Sequence, residues 1–355
     1  MRVLMVVPRP LYSKAGGMTR VAENYLENTF LSEAGVDCSF FPTRTTDKLI
    51  LSLLSQLYRF LLFCPKLVTG GFDMVHIHVA PGGSTWRKMA YAAVARMMRV
   101  PVILHLHGSG YDAYFRTQHR FSQSLIRAFY RSSRAVIVLA DNWKEFAVGE
   151  LGVPRQRVHV IDNGVPDSVR KTDRDSVSVR YLFVGSVIHR KGIDILIEAA
   201  AALDAEHDWQ VLICGAGEIE KYELLARSVG IDDVKLRFLG WKNASEVSEL
   251  LSTSHVFVLP SRAENQPLSI IEAMASSLPV VATDVGAVAS QVDHNATGFV
   301  VPADDASALA TAMKRLLVDK ELRERMGAAG RKKFEDRYEI SKNVSRLVDL
   351  YRSIV

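Results

Sequence analysis

Short, nearly unbroken apolar runs alternate along this chain with amphipathic segments of helical length. In the first half the runs predict strands over residues 3–7, 37–41, 74–78, 102–105, 135–139 and 158–161. The segments between them predict helices over 19–33, 49–63, 86–98, 121–131 and 143–150. A polar, charged, proline-containing stretch at 164–178 reads as a linker. A second set of strands is then expected over 180–184, 210–214, 235–239, 256–259, 280–282 and 298–301, again separated by helices. Strands that are apolar along their whole length, each followed by a helix, form a mostly parallel sheet covered on both faces. The expected fold class is therefore α/β, with two Rossmann-like domains. Their expected bounds are 1–164 and 180–355, joined by a linker at 165–179, with the final helix able to pack back on the first domain. Ligands of such sheets bind beyond the carboxyl ends of the strands, so two facing domains would enclose one cleft.

Composition adds little beyond excluding classes. The 48% hydrophobic and 23% charged content is that of an ordinary globular protein, and 355 residues suffice for two cores. Cys38, Cys64 and Cys214 lie far apart with no CxxC pair, which argues against a disulfide framework or zinc module and for a reducing compartment. Met1-Arg2 leads straight into a strand-like run without a signal-peptide pattern. The longest apolar stretch is interrupted by Gln56, Arg59 and Lys66, unlike a membrane span. A cytoplasmic location is expected.

Charge changes the picture more. Residues 1–180 hold 24 basic and 14 acidic side chains, net +10, whereas residues 181–355 hold 20 and 25, net −5. Within 87–134 nine lysines and arginines face one acid, Asp112. Nucleic acid is a poor partner for this charge, because no zinc finger, RNP-type strand or long basic helix accompanies it. The stretch 44–68 adds a leucine-dense segment of net charge +3, which is either an interfacial helix or a buried one. Peripheral contact of the first domain with an anionic membrane surface is the expectation that follows.

Candidate chemistry clusters in four places. In 256–283, VFVLPSRAENQPLSIIEAMASSLPVVAT, Glu264 falls in the turn after a strand and Glu272 in the second turn of a helix that Pro267 starts. Both carboxylates can then face a ligand over the helix N-terminus, where free N–H groups favour phosphate. In 181–198 a strand ends at Gly185, and Arg190-Lys191-Gly192 leads into a helix. Two cations there oppose the helix dipole unless they clamp an anion. In 13–20, SKAGGMTR, Gly16 and Gly17 permit close approach of backbone to a phosphate or sugar. His76/His78 and His105/His107 are period-two pairs at strand ends, without the helical or cysteine context of a zinc site. No metal is expected. Asp173-Arg174-Asp175 is a chance match to a metal-binding DxD, and the incomplete Gly215-Ala216-Gly217 fingerprint argues against a dinucleotide.

These stretches resemble the retaining glycosyltransferases of family 4, which have the GT-B fold. The resemblance rests on the E-x7-E spacing of Glu264 and Glu272, on EAMASSLPVVATDVGAV and NATGFVVPADDASALA after it, and on HLHGSGYD. It implies that Glu264 holds donor-sugar hydroxyls and Glu272 the ribose. It further implies that Lys191 binds the donor pyrophosphate, with Arg190 standing in for an arginine that many members carry where this chain has Ser186. Gly16, Gly17 and Gly185 would approach the donor phosphates, Gly215 the base, and His107 the transferred sugar. Asp112 and Arg20 would lie toward the acceptor. The usual Gly-Phe-Gly after the first glutamate is replaced by Asn265-Gln266-Pro267, with Leu268 and Ser269 following at the donor.

The function implied is metal-independent hexosyl transfer, with retention, from a nucleoside-diphosphate sugar (UDP-sugar before GDP-mannose). The acceptor would be a glycan or lipid-linked glycan of surface polysaccharide or glycoconjugate synthesis at the inner membrane face. The alternatives are a nucleotide-sugar 2-epimerase of the same fold and an inactive sugar-nucleotide-binding partner subunit. The epimerase needs carboxylates placed at C2, which the motifs do not supply.

Overall fold

The computed structural model describes every residue except 9, 11–16, 28, 45–48, 168–177 and 205, and, within one helix, the side chains of 49–53. The chain divides into two compact units, Met1–Pro166 with Ile340–Val355, and Asp167–Glu339.

The first unit is built on a six-stranded sheet: β1 (Arg2–Val7), β2 (Asp37–Pro42), β3 (Met74–Val79), β4 (Val102–Leu106), β5 (Ala135–Val138) and β6 (Val158–Val160). Their order is β2-β1-β3-β4-β5-β6, and all neighbours run parallel. β3 and β4 are buried at every position, as unbroken apolar runs require when helices cover both faces. The second unit repeats the plan with β7 (Val179–Val184), β8 (Trp209–Cys214), β9 (Leu236–Gly240), β10 (Val256–Leu259), β11 (Val280–Thr283) and β12 (Gly298–Val301). Here the order is β12-β11-β10-β7-β8-β9, again parallel throughout. All twelve expected strands are present.

Helices depart further from expectation. The single helix expected over 19–33 is two, Gly17–Glu27 and Phe30–Glu33. The second is one turn that buries Leu31 and ends at Glu33, and Gly35, with φ +77°, turns the chain into β2. The helix expected over 49–63 runs to Gly70, carrying Pro65 inside it. It is apolar on both sides. Phe63 and Leu67 are buried, with the Phe63 ring edge-on to Phe41 and Tyr91 at 5.4 and 4.8 Å. Leu54, Leu57, Tyr58, Leu61 and Val68 point the other way and are each 59–65% exposed. A helix Tyr111–Arg116 had no counterpart in the periodicity.

The final helix, Ile340–Arg352, closes the first unit. Ile340 N–H donates to Val165 O at 3.1 Å, Asn343 Nδ2 to Asp162 O at 2.8 Å, and Arg352 Nη2 to Ala34 O at 3.1 Å. The linker assigned to 165–179 lies mostly outside the described residues, as do Asp173, Arg174 and Asp175.

Candidate active site

In the second unit, the turns after β7, β8 and β10 meet at the carboxyl edge of the sheet. After β10, Glu264 is buried at 8% exposure. Its Oε1 accepts from Ser261 Oγ at 2.7 Å and is ion-paired to Lys191 Nζ, with Arg190 Nη1 at 3.9 Å. Arg190 Nη1 also donates to Ala263 O at 2.6 Å, so both cations of the turn after β7 are drawn to the Glu264 turn. Ser261 is itself fixed, its carbonyl accepting from Thr283 Oγ1 at 2.5 Å.

Three close approaches demand glycine here. Gly192 has φ +68°, and a Cβ on it would lie 1.9 Å from Pro260 O. A Cβ on Gly215 would meet Gly185 O at 1.7 Å, and one on Gly286 (φ +61°) would meet Glu264 O at 2.0 Å. The turns of 185–192, 215–217 and 260–265 therefore stack backbone on backbone, which no side chain permits.

The helix Leu268–Ala275 starts at Pro267, whose φ is −66°. Leu268 is buried, while Ser269 and Glu272 are half-buried. The first-turn amides of this helix have no helical acceptor and form a positive end beside Glu264. The Asn265-Gln266-Pro267 replacement is tied to the following turn. Asn265 O accepts from Ala287 N–H at 2.8 Å, and Pro267 O from Gln291 Nε2 at 3.2 Å. Gly185, Ser186, Arg190, Lys191, Gly215, Glu264, Leu268, Ser269 and Glu272 thus all lie along one strand edge.

Sequence reasoning missed the brace behind this edge. Arg262 forms a two-pronged pair with Asp194 at 2.8 and 2.7 Å, contacts Asp304 at 2.6 Å and donates to His189 O at 2.6 Å. Its own N–H also donates to Arg190 O at 2.8 Å, so it pins the Arg190-Lys191 turn. No periodicity or motif links these residues, which lie up to about a hundred positions apart.

In the first unit, His107 follows β4, and its N–H donates to Val79 O at 2.9 Å. All four strand-end histidines share one side of the sheet and stack. His78 Nδ1 lies 2.8 Å from His107 Nε2, His76 Nε2 3.2 Å from His105 Nδ1, and His76 Nδ1 2.5 Å from Tyr351 Oη. Burial pushes His76 and His107 down to about 3, and His78 and His105 also fall well below the ordinary range. His76, His78 and His105 each bring a ring nitrogen within 4.8 Å of the others. Lys88 acts electrostatically on His78 and on His107, lowering both. Asp112 sits in the first turn of Tyr111–Arg116, 3.4 Å from Arg116. Arg20 is directed along its own helix to Glu23 and Glu27, at 3.5 and 3.3 Å. Gly17 opens that helix with open space around its Cα, whereas Gly16 lies outside the described residues.

Family models match both units. Residues 166–333 match glycosyl transferases group 1, and residues 19–164 match a glycosyl transferase 4-like domain. Phosphatidyl-myo-inositol mannosyltransferase of Mycobacterium leprae is 30% identical over 305 residues, covering 81% of this chain and 75% of that protein. This chain belongs to the glycosyl transferases group 1 family. A further relative is the Escherichia coli UDP-Gal:alpha-D-GlcNAc-diphosphoundecaprenol alpha-1,3-galactosyltransferase, 26% identical over 86% of this chain and 81% of its own. Sucrose-phosphate synthase from Thermosynechococcus elongatus has the same fold, with a TM-score of 0.80 at 20% identity over 99% of this chain and 98% of its own. The fold of this glycosyltransferase is GT-B.

Proposed function

We propose that this glycosyltransferase moves a hexose, with retained anomeric configuration and without a metal, from a UDP-sugar to a lipid-linked glycan. The observation that carries the donor half is the buried Lys191–Glu264 pair beside Arg190 and the amides of Leu268–Ala275. As the sugar departs, the nucleoside diphosphate gains negative charge. Fixed cations and helix amides aimed at that charge lower the barrier without a divalent ion. Glu264, oriented by Ser261, is then the acceptor for donor-sugar hydroxyls, and Glu272 for the ribose. His107, neutral at pH 7, is a hydrogen-bonding partner for the sugar rather than a cation. UDP is favoured over GDP because of the galactosyltransferase relative named above, whose own acceptor is a lipid diphosphate.

Membrane contact has a separate basis. Among the described residues no helix is long and apolar enough to cross a membrane. The helices Leu49–Gly70, Gly83–Met97 and Arg120–Arg131 lie side by side and expose large apolar side chains among arginines, among them Leu57, Leu61, Met97 and Phe121. Apolar insertion beside basic charge is the chemistry of peripheral binding to an anionic leaflet.

The test is a thermal-shift titration against UDP, GDP, ADP and TDP in EDTA. A ligand at a hundredfold excess over its dissociation constant adds about 2.7 kcal/mol of stability. A shift for UDP alone is expected, and Lys191→Ala and Glu264→Ala should each cut sugar transfer tenfold or more while remaining folded. No shift with any nucleotide would overturn the donor site, whereas a UDP shift without sugar transfer would favour the inactive sugar-nucleotide-binding partner subunit.

A further inference from the structure

Lys88 is an anomaly of the first unit. It lies in the second turn of the helix Gly83–Met97, which follows β3 at the carboxyl edge of the sheet. It is 0% exposed, although lysine is almost never fully buried without a paired charge. An ammonium has three N–H donors. Lys88 Nζ uses one, to Ser84 Oγ at 3.0 Å, and among the described residues no carboxylate pairs with it. The charged and titratable groups that act on it or are acted on by it are Arg87 and Arg44, both cationic, and His78 and His107. His78 Nε2, also fully buried, has no hydrogen-bond partner among the described residues. A buried cation among further cations and polar nitrogens, with no carboxylate beside it among the described residues, is complementary to an anion.

We propose that Lys88, with Ser84, Arg87 and His107, forms a subsite for a phosphate group carried by the acceptor. This rests on the acceptor half of the proposed function and names its chemistry: the acceptor is phosphorylated, not a neutral glycan. Ser84 and Arg87 are only half-buried and His107 keeps 8% exposure, so the anion meets these groups first and the four-carbon stem of Lys88 brings the ammonium to it. Phosphate oxygens then take up the N–H donors that lack partners. Burial, followed by Arg87 and Arg44, lowers Lys88 to about 7, so the free site is partly neutral at physiological pH. An arriving anion restores the charged form, so binding takes up a proton above neutrality and weakens as pH rises.

The experiment titrates the full chain with inorganic sulfate, a tetrahedral anion of fixed charge, and with farnesyl phosphate, at pH 6 and pH 8.5. Wild type, Lys88→Met and Lys191→Ala are compared, with melting curves to confirm folding. Lys88→Met removes a buried charge while keeping an unbranched stem, and Lys88→Gln serves as the second variant if it fails to fold. The expected result is binding of both probes by wild type and Lys191→Ala, at least tenfold weaker at pH 8.5 for sulfate. Lys88→Met should lose at least tenfold at pH 6 and retain no pH dependence. Equal binding by Lys88→Met, or loss only in Lys191→Ala, overturns the subsite. Sulfate binding without farnesyl phosphate binding overturns the assignment to a lipid-borne acceptor. UDP stabilisation that survives in Lys88→Met but not in Lys191→Ala keeps the donor reading apart from this one.

Discussion

Four imidazoles stacked in a dry sheet edge make the first unit sensitive to acid. Their ordinary pKa near 6.5 applies in the unfolded chain, whereas His76 and His107 sit at about 3 when folded and His78 and His105 also lie low. The unfolded state therefore binds more protons below pH 6.5. The stability this contributes is complete above pH 6.5 and is lost as pH falls toward 3. Urea midpoints should decline steadily from pH 6.5 to pH 4, and His105→Phe should flatten that decline. At the carboxyl edge of the second sheet, Gly192→Ala combines a left-handed φ with a Cβ 1.9 Å from Pro260 O. It should displace the Arg190-Lys191 turn, and UDP stabilisation should fall at least tenfold in apparent affinity even where a melt still shows folded protein. Glu264 and Lys191 were legible as residues because their spacing and chain context are distinctive. Their ion pair was not, since they are 73 positions apart and only the β7–β10 pairing brings them together.

At the scale of elements, strand positions were legible because each strand is buried on both faces and so reads as a continuous apolar run. The helix Leu49–Gly70 shows where that logic stops. Its leucine density left an interfacial and a buried reading both open; the structure buries Phe63 and Leu67 and leaves Leu54, Leu57 and Leu61 exposed. A 3.6-residue period separates one apolar face from one polar face, but it cannot resolve two apolar faces. If the outward face meets a bilayer, Leu57→Ser with Leu61→Ser should lower sedimentation with phosphatidylglycerol vesicles several-fold. The melting temperature should stay unchanged or rise, because both side chains are solvated in the free protein. Equal vesicle binding by this double variant would remove the helix from the interface. The short helix Tyr111–Arg116 escaped notice because two turns are too few to establish a period.

For the whole molecule, chain order and spatial order differ at the end. Ile340–Val355 follows the second unit in sequence and belongs to the first in space, held there by Ile340, Asn343, Arg352 and the Tyr351–His76 hydrogen bond. Removing residues 340–355 exposes the buried Val344, Leu347, Val348 and Tyr351 contacts and strands His76 Nδ1. At roughly 25 cal/mol per Å² of apolar surface, four such side chains account for several kcal/mol. The truncated chain should therefore unfold its first unit at lower urea, while residues 167–339 keep their own transition and their UDP shift; a single unshifted transition would contradict this. By itself the sequence determined the α/β class, the twelve strands, the family and which residues flank the carboxyl ends of the second sheet's strands, because burial periodicity and contiguous motifs are local properties of the chain. Only the tertiary structure decided which charges meet, that Arg262 braces the Arg190-Lys191 turn, that the last helix returns, and that Lys88 is buried with no carboxylate beside it among the described residues. Those outcomes depend on distances between residues far apart in the chain, which are set by sheet order and packing rather than by any local pattern.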